Sequence, residues 1–172
     1  SRSRKIIPAV VEFVDIAGLV KGAAEGEGLG NKFLSHIRDV DAIAEVVRVF
    51  DDPDITHVAG AADPISDIDV VEYEMILKDL EAVSKRQETI ERDARAGKKG
   101  AGDEADALRA AQETLASGRL LRHSNLMKNV HFNARPRVEM NIEILRELSL
   151  LTAKEVIYVF NVSEKQIQSH WQ

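Results

Sequence analysis

Tyr73, Ile76, Leu80, Val83, Gln87, Ile90 and Ala94 recur at alternating spacings of three and four residues. Such a seam holds one face of a helix apolar over successive heptads and has to be buried against a second helix. Charged residues fill most of the positions between, so little apolar surface remains outside the seam. Gly97-Lys98-Lys99-Gly100-Ala101-Gly102 interrupts the pattern. A weaker repeat follows in Ala105, Leu108, Gln112 and Leu115. Two helices joined by a Gly-rich turn predict an antiparallel α-helical hairpin over about 67–117, opened by Ser66-Asp67-Ile68-Asp69. Ile76, Leu80, Val83 and Ile90 are expected on the partner-facing side, with Gly97 to Gly102 as a mobile tip. The charge around the seam predicts a coiled-coil arm that stands away from the rest. A pair packed on its own domain is the alternative.

On either side of this run the pattern is α/β. Ile6 to Val14 contains a strand that ends at Asp15. Asn31 to Asp39 reads as a helix with Phe33, Leu34 and Ile37 on one face. Ala42 to Phe50 is nearly all apolar apart from Glu45 and Arg48, the pattern of a strand covered on both faces. Beyond the hairpin, Met140, Ile144, Leu145, Leu148 and Leu151 suggest a helix, and Glu155 to Phe160 a further strand. Arg119 to Arg137 reads as loop with one helical turn. The expectation is one α/β domain (residues 1–65 and 138–172) carrying a helical insertion (66–137).

Composition narrows the function. The 172 residues are 44% hydrophobic and 30% charged, a globular balance, with a net charge of −6. No global basic field draws nucleic acid, although Arg119, Arg122, His123 and Lys128 offer a local basic patch. With no cysteine there is neither a disulfide framework nor thiol chemistry. No run approaches the ~18 apolar residues of a membrane span, and Ser1 to Lys5 lacks the apolar core of a signal peptide. A cytoplasmic protein is the default expectation.

Two motifs carry chemistry. Val14-Asp15-Ile16-Ala17-Gly18-Leu19 is an apolar run ending in Asp-x-x-Gly, the arrangement with which P-loop nucleoside triphosphatases sense a γ-phosphate. Asp15 at a strand tip would hold Mg²⁺ through water. Gly18, with no side chain, lets its backbone N–H approach a phosphate oxygen. Gly22, Gly26, Gly28 and Gly30 follow within nine residues, either a flexible surface loop or a switch that orders around the phosphate. The second motif, Asn161-Val162-Ser163-Glu164, follows the last strand, where GTPases place Asn-Lys-x-Asp. In those enzymes the Asp accepts two adjacent guanine donors. Here Glu164 is one methylene longer, and Val162 stands in place of Lys. Adenine has no pair of adjacent donors, so Asn161 pairing with the base edge and Val162 covering its face suit adenine better. Leaving buried polar groups unpaired costs about 1–3 kcal/mol. The competing reading is a helix cap, with Asn161 or Ser163 as N-cap.

Val11-Glu12-Phe13-Val14-Asp15-Ile16-Ala17-Gly18-Leu19-Val20-Lys21-Gly22 with Gly26-Glu27-Gly28-Leu29-Gly30-Asn31 strongly resembles the Obg-like ATPase family, also called YchF. Ile55-Thr56-His57-Val58 with Asp63-Pro64, Leu150-Leu151-Thr152-Ala153-Lys154 and Asn161-Val162-Ser163-Glu164 extend the resemblance, which is weakest between about Arg95 and Arg137. The resemblance implies a G-domain-like P-loop fold, ATP preferred to GTP, Mg²⁺, slow regulatory hydrolysis and association with the ribosome. Leu19 then stands where many GTPases carry a water-orienting Gln, and His57 becomes a candidate to position water instead; a surface-loop histidine is the alternative. The chain departs from the family at Glu45, where a histidine is common, at Val49, where a cysteine is frequent, and over Asn133 to Arg137. The phosphate cradle Gly-x-x-x-x-Gly-Lys-Ser/Thr is not in this sequence, nor is a TGS module. An internal fragment of a longer protein, inactive by itself, is expected. A non-enzymatic helical fragment that binds a partner beside an inert nucleotide core is the rival expectation.

Overall fold

The computed structural model describes residues 10–15, 37–50, 63–128 and 144–168. Strands β1 (Ala42–Arg48) and β2 (Glu155–Asn161) run parallel, in register from Ala42 opposite Glu155 to Arg48 opposite Asn161. Parallel neighbours need a long crossover, and this one carries the helices. Helix α1 (Pro64–Arg95) is followed by α2 (Ala101–Ala116). After α2 come a 3-10 turn, Leu121–His123, and a four-residue helix, Asn125–Lys128. A second 3-10 turn, Leu151–Ala153, leads into β2, and a short helix, Glu164–Gln168, follows it.

Helix α1 starts two residues before the expected Ser66. Asp63 is its N-cap, accepting from Ser66 N at 3.1 Å, and Pro64 occupies the first turn. An acidic cap followed by proline is the favourable order at a helix start, because proline lacks an N–H that would go unpaired there. At the other end Gly97 and Gly100 take φ of 73° and 83°, the left-handed region in which a glycine is least strained. The turn between them sends α2 back along α1. Arg86 pairs with Glu104, and Gln112 Nε2 donates to Ser84 Oγ at 3.2 Å. The earlier position in α1, Ser84, meets the later position in α2, Gln112, and the later one, Arg86, meets the earlier, Glu104, so the pair is antiparallel.

The seam is buried as its spacing predicts. Ile76, Val83 and Ile90 pack with Ala101, Ala105, Leu108, Ala111 and Leu115, with Leu80 partly buried beside them. Tyr73 departs from the expectation, remaining 59% exposed. It lies below the end of α2, where α1 turns a different face inward. There Met75 packs with Ile37 and Leu151, and Ile43 of β1 closes that cluster. The main cluster also continues past α2 into Leu120, Leu121, Leu145 and Leu150. The root of the helix pair therefore shares its core with the segments that lead into β2.

Two sheet expectations need correction. Ala42–Arg48 is a strand, but it is covered on one side only. Val46 is 67% exposed and Ile157 64%, and no described element lies over them. A two-sided burial needs a layer on each face, and α1 with the 3-10 turns supplies one. The expected strand over 6–14 is absent from its described part: residues 10–15 are in no strand, and Phe13 is 84% exposed. A strand exists by pairing its backbone with a neighbour, and the described sheet consists of β1 and β2 alone. Most of the expected helix over 31–39 lies outside the described residues; 37–38 are helical, as are 144–147.

Candidate functional site

In open α/β sheets, ligands bind beyond the carboxyl ends of the strands. Here that end is assembled by backbone bonds. Val49 N, just after β1, donates to Asn161 O at the end of β2, at 3.0 Å. Gln166 Nε2 donates to Val49 O at 2.8 Å, tying the short helix back to the same corner. Asn161 is exposed there and Val162 half-buried. Arg48, the register partner of Asn161, donates through Nε to Phe50 O at 2.9 Å, and its guanidinium lies 5.2 Å from the centre of the Phe50 ring.

The cap reading of this motif holds for Ser163. Gln166 Oε1 accepts from Ser163 N at 2.8 Å and from Ser163 Oγ at 3.0 Å, while Ser163 Oγ accepts from Gln166 N at 3.4 Å. That is a reciprocal capping box, in which each residue's side chain accepts from the other's backbone N–H. Its sequence signature is Ser-x-x-Gln. Capping and base recognition are compatible, because Ser163 does the capping. Asn161 lies before it, and Glu164, the first residue of the helix, is exposed.

Asp15 is exposed and outside the sheet, not at a strand tip. Gly18, Leu19 and His57 lie outside the described residues. Among the described residues no three His, Cys, Asp or Glu side chains gather as a metal cage requires. Mg²⁺ at a nucleotide takes most of its ligands from water and phosphate, and one or two carboxylates from protein. A single exposed carboxylate such as Asp15 suits that chemistry. Of the expected basic patch, Arg122 is withdrawn from the surface. Arg122, only 6% exposed at its side chain, is paired with Glu72 at 2.5 Å.

The opposite end of β2 is held by two polar clasps that the periodicity does not signal. Asp79 of α1 is fully buried. Its Oδ1 accepts from Leu151 N at 3.0 Å, and its Oδ2 from Thr152 N and Thr152 Oγ1, each at 2.7 Å. Burial pushes the Asp79 carboxyl up, against these three hydrogen bonds, which favour its charged form. Lys154 Nζ donates to Arg38 O at 2.9 Å and to Val40 O at 2.6 Å, fastening the start of β2 to the segment before β1. Burial lowers its ammonium, opposed by Asp41 and Asp39. The run Leu150 to Lys154, singled out in the sequence, is thus the anchor of β2.

No protein-family model matches the chain. Curated relatives do. The ribosome-binding ATPase YchF of Bacillus subtilis is 45% identical over 95% of this chain and 42% of its own length. Obg-like ATPase 1 of Saccharomyces cerevisiae is 43% identical over 92% of this chain and 39% of its own length. Among solved structures, the YchF GTPase of Schizosaccharomyces pombe superposes with a TM-score of 0.66 at 38% identity, covering 88% of this chain and 39% of that one. The chain therefore spans about two fifths of the relatives it matches. The motifs, the parallel strand pair and these likenesses agree that the chain belongs to the Obg-like ATPase (YchF) family.

Proposed function

We propose that this chain is the switch and base-recognition part of a ribosome-associated nucleoside triphosphatase that takes ATP, and GTP less well. The observation that carries this reading is the corner at the carboxyl ends of β1 and β2. It presents Asn161, Val162 and Glu164 with the strand end, Val49 and Gln166 already joined by hydrogen bonds. Asn161 reads the base edge and Val162 covers its face. Asp15 holds Mg²⁺ through water, and Gly18 meets the γ-phosphate. When bound, the ion neutralises charge on the phosphates. Leu19 cannot orient water, and His57 is the candidate that does. The helix pair is a coiled-coil arm inserted in the nucleotide domain, placed to meet a partner. The names of the relatives, ribosome-binding among them, point to the ribosome as that partner and to the cytoplasm; no described helix is long and apolar enough to cross a membrane.

By itself the chain binds nucleotide weakly, because backbone N–H groups and a lysine of the cradle supply most of the affinity for phosphates. The test compares calorimetric titrations of Mg-ATP into this chain and into a protein that carries Gly-x-x-x-x-Gly-Lys-Ser/Thr ahead of it. Micromolar binding by the longer protein alone is expected. Failure of both leaves the helical partner-binding reading, with an inert nucleotide core.

A further inference from the structure

Glu45 and Tyr158 are register partners on the covered face of the sheet. Against them lie Glu72 of α1 and Arg122 of the 3-10 turn that follows α2. Tyr158 Oη donates to Glu72 Oε1 at 2.8 Å, and Arg122 Nη2 reaches the same oxygen at 2.5 Å and Tyr158 Oη at 3.4 Å. Two atoms of the cluster are left over. Glu45 Oε2 and Arg122 Nη1 are both buried and meet no hydrogen-bond partner among the described residues. The charges do not balance either: two carboxylates share one guanidinium, and Tyr158 stays neutral because burial and its bond to Glu72 push the phenol up.

We propose that this cluster is a proton-binding site at the root of the helix pair, with Glu45 taking up one proton and releasing it to solvent. With Glu45 protonated, the single positive charge of Arg122 is matched by Glu72 alone, and the junction is neutral. When Glu45 ionises, the junction carries one net negative charge, and Arg122 Nη1 is the donor left to take the second carboxylate. Arg122 is then divided between α1 and β1 instead of holding α1 and β2. Because Leu121, its neighbour, is in the main core, the division acts on the return from α2. Burial, then the Glu72 charge, push the Glu45 carboxyl up to about 7, against Arg122. His123, on the same turn, is exposed to solvent.

Carbon-13 NMR of the full chain, with its side-chain carboxyls labelled and assigned, tests this directly. Glu45 is expected to titrate with a midpoint near 7, and the Arg122 guanidinium and the amides of 120–124 to shift with the same midpoint. Glu72→Gln removes the neighbouring charge and frees Arg122, so it should move the Glu45 midpoint down. Glu45→Gln should abolish the transition at 120–124, whereas His123→Gln should leave it. A Glu45 midpoint in the ordinary glutamate range overturns the proposal. So does a transition at 120–124 that survives Glu45→Gln and vanishes in His123→Gln.

Discussion

Asp79 and Thr152, 73 residues apart in sequence, are joined by two hydrogen bonds of 2.7 Å to one carboxylate oxygen. The other oxygen accepts from Leu151 N. One buried side chain of the long helix thereby fixes the turn that launches β2, and β2 ends at the corner proposed for base recognition. Removing the carboxylate leaves two buried N–H groups unpaired. An unsatisfied buried donor costs about 1–3 kcal/mol, so Asp79→Ala should destabilise the chain by roughly 2–5 kcal/mol. Thr152→Val removes one hydroxyl donor and should cost about 1–2 kcal/mol. Urea denaturation of both variants and of the double variant checks this. Losses that simply add would mean that the two side chains do not act as a unit.

The helix pair should lose structure differently from its two ends. Ile90 packs near the Gly97–Gly100 turn, whereas Leu121 joins the cluster at the root. Either residue, truncated to Ala, should cost about 2–5 kcal/mol. Hydrogen exchange after Ile90→Ala should show lost protection confined to roughly 76–112. After Leu121→Ala it should extend to 150–161. An equal spread from Ile90 would mean that the pair has no local unfolding of its own. A charge in the seam, Leu80→Asp, should unfold the pair over 67–117, because Leu80 packs against the main cluster.

Stability should depend on pH through Glu45. Its carboxyl is raised from 4.5 to about 7 in the folded chain. At pH below 4.5 the group is protonated in folded and unfolded chains alike, and its contribution is fully present. Between 4.5 and about 7 the folded chain keeps a proton that the unfolded chain has released, so stability falls as pH rises. Above about 7 that contribution is gone. Glu45→Gln should remove this slope. Urea midpoints of the two proteins, compared at intervals from about pH 4 to about pH 8, read it directly; parallel curves would assign the raised carboxyl to no stabilising proton.

What the sequence made legible was local. The heptad seam needs only its own spacing, so α1, α2 and the turn between them could be read directly, as could the strand at 155. The start of α1 was written in Asp63-Pro64, a cap and a first-turn proline, yet the acidic run at Ser66 drew the boundary inward. Tyr73 fits the seam by spacing but lies beyond the reach of α2, a fact set by the length of the partner helix. Arg122 looked like part of a basic patch because its partner, Glu72, is fifty residues away. The Asp79 clasp has no periodic signature at all. For residues 10–14 the pattern gave strand propensity but could not supply a neighbour to pair with.

The corner proposed for base recognition yields the sharpest test of specificity. Guanine presents two adjacent donors that an Asp carboxylate accepts together, while the present Glu164 and Val162 offer neither that spacing nor the lysine stem. In a form of the protein that binds nucleotide, Val162→Lys together with Glu164→Asp should shift preference from ATP toward GTP. A site built to pair a donor loses about 1–3 kcal/mol when the ligand leaves it unpaired, so the affinity ratio should move by about tenfold or more. Ser163 and Gln166 must stay, because their reciprocal hydrogen bonds hold the turn. Ser163→Ala is the control: it should weaken both nucleotides alike by loosening the turn, without altering their ratio. Competition titrations of ATP against GTP decide the matter. An unchanged ratio in the double variant would place base recognition away from Asn161, Val162 and Glu164.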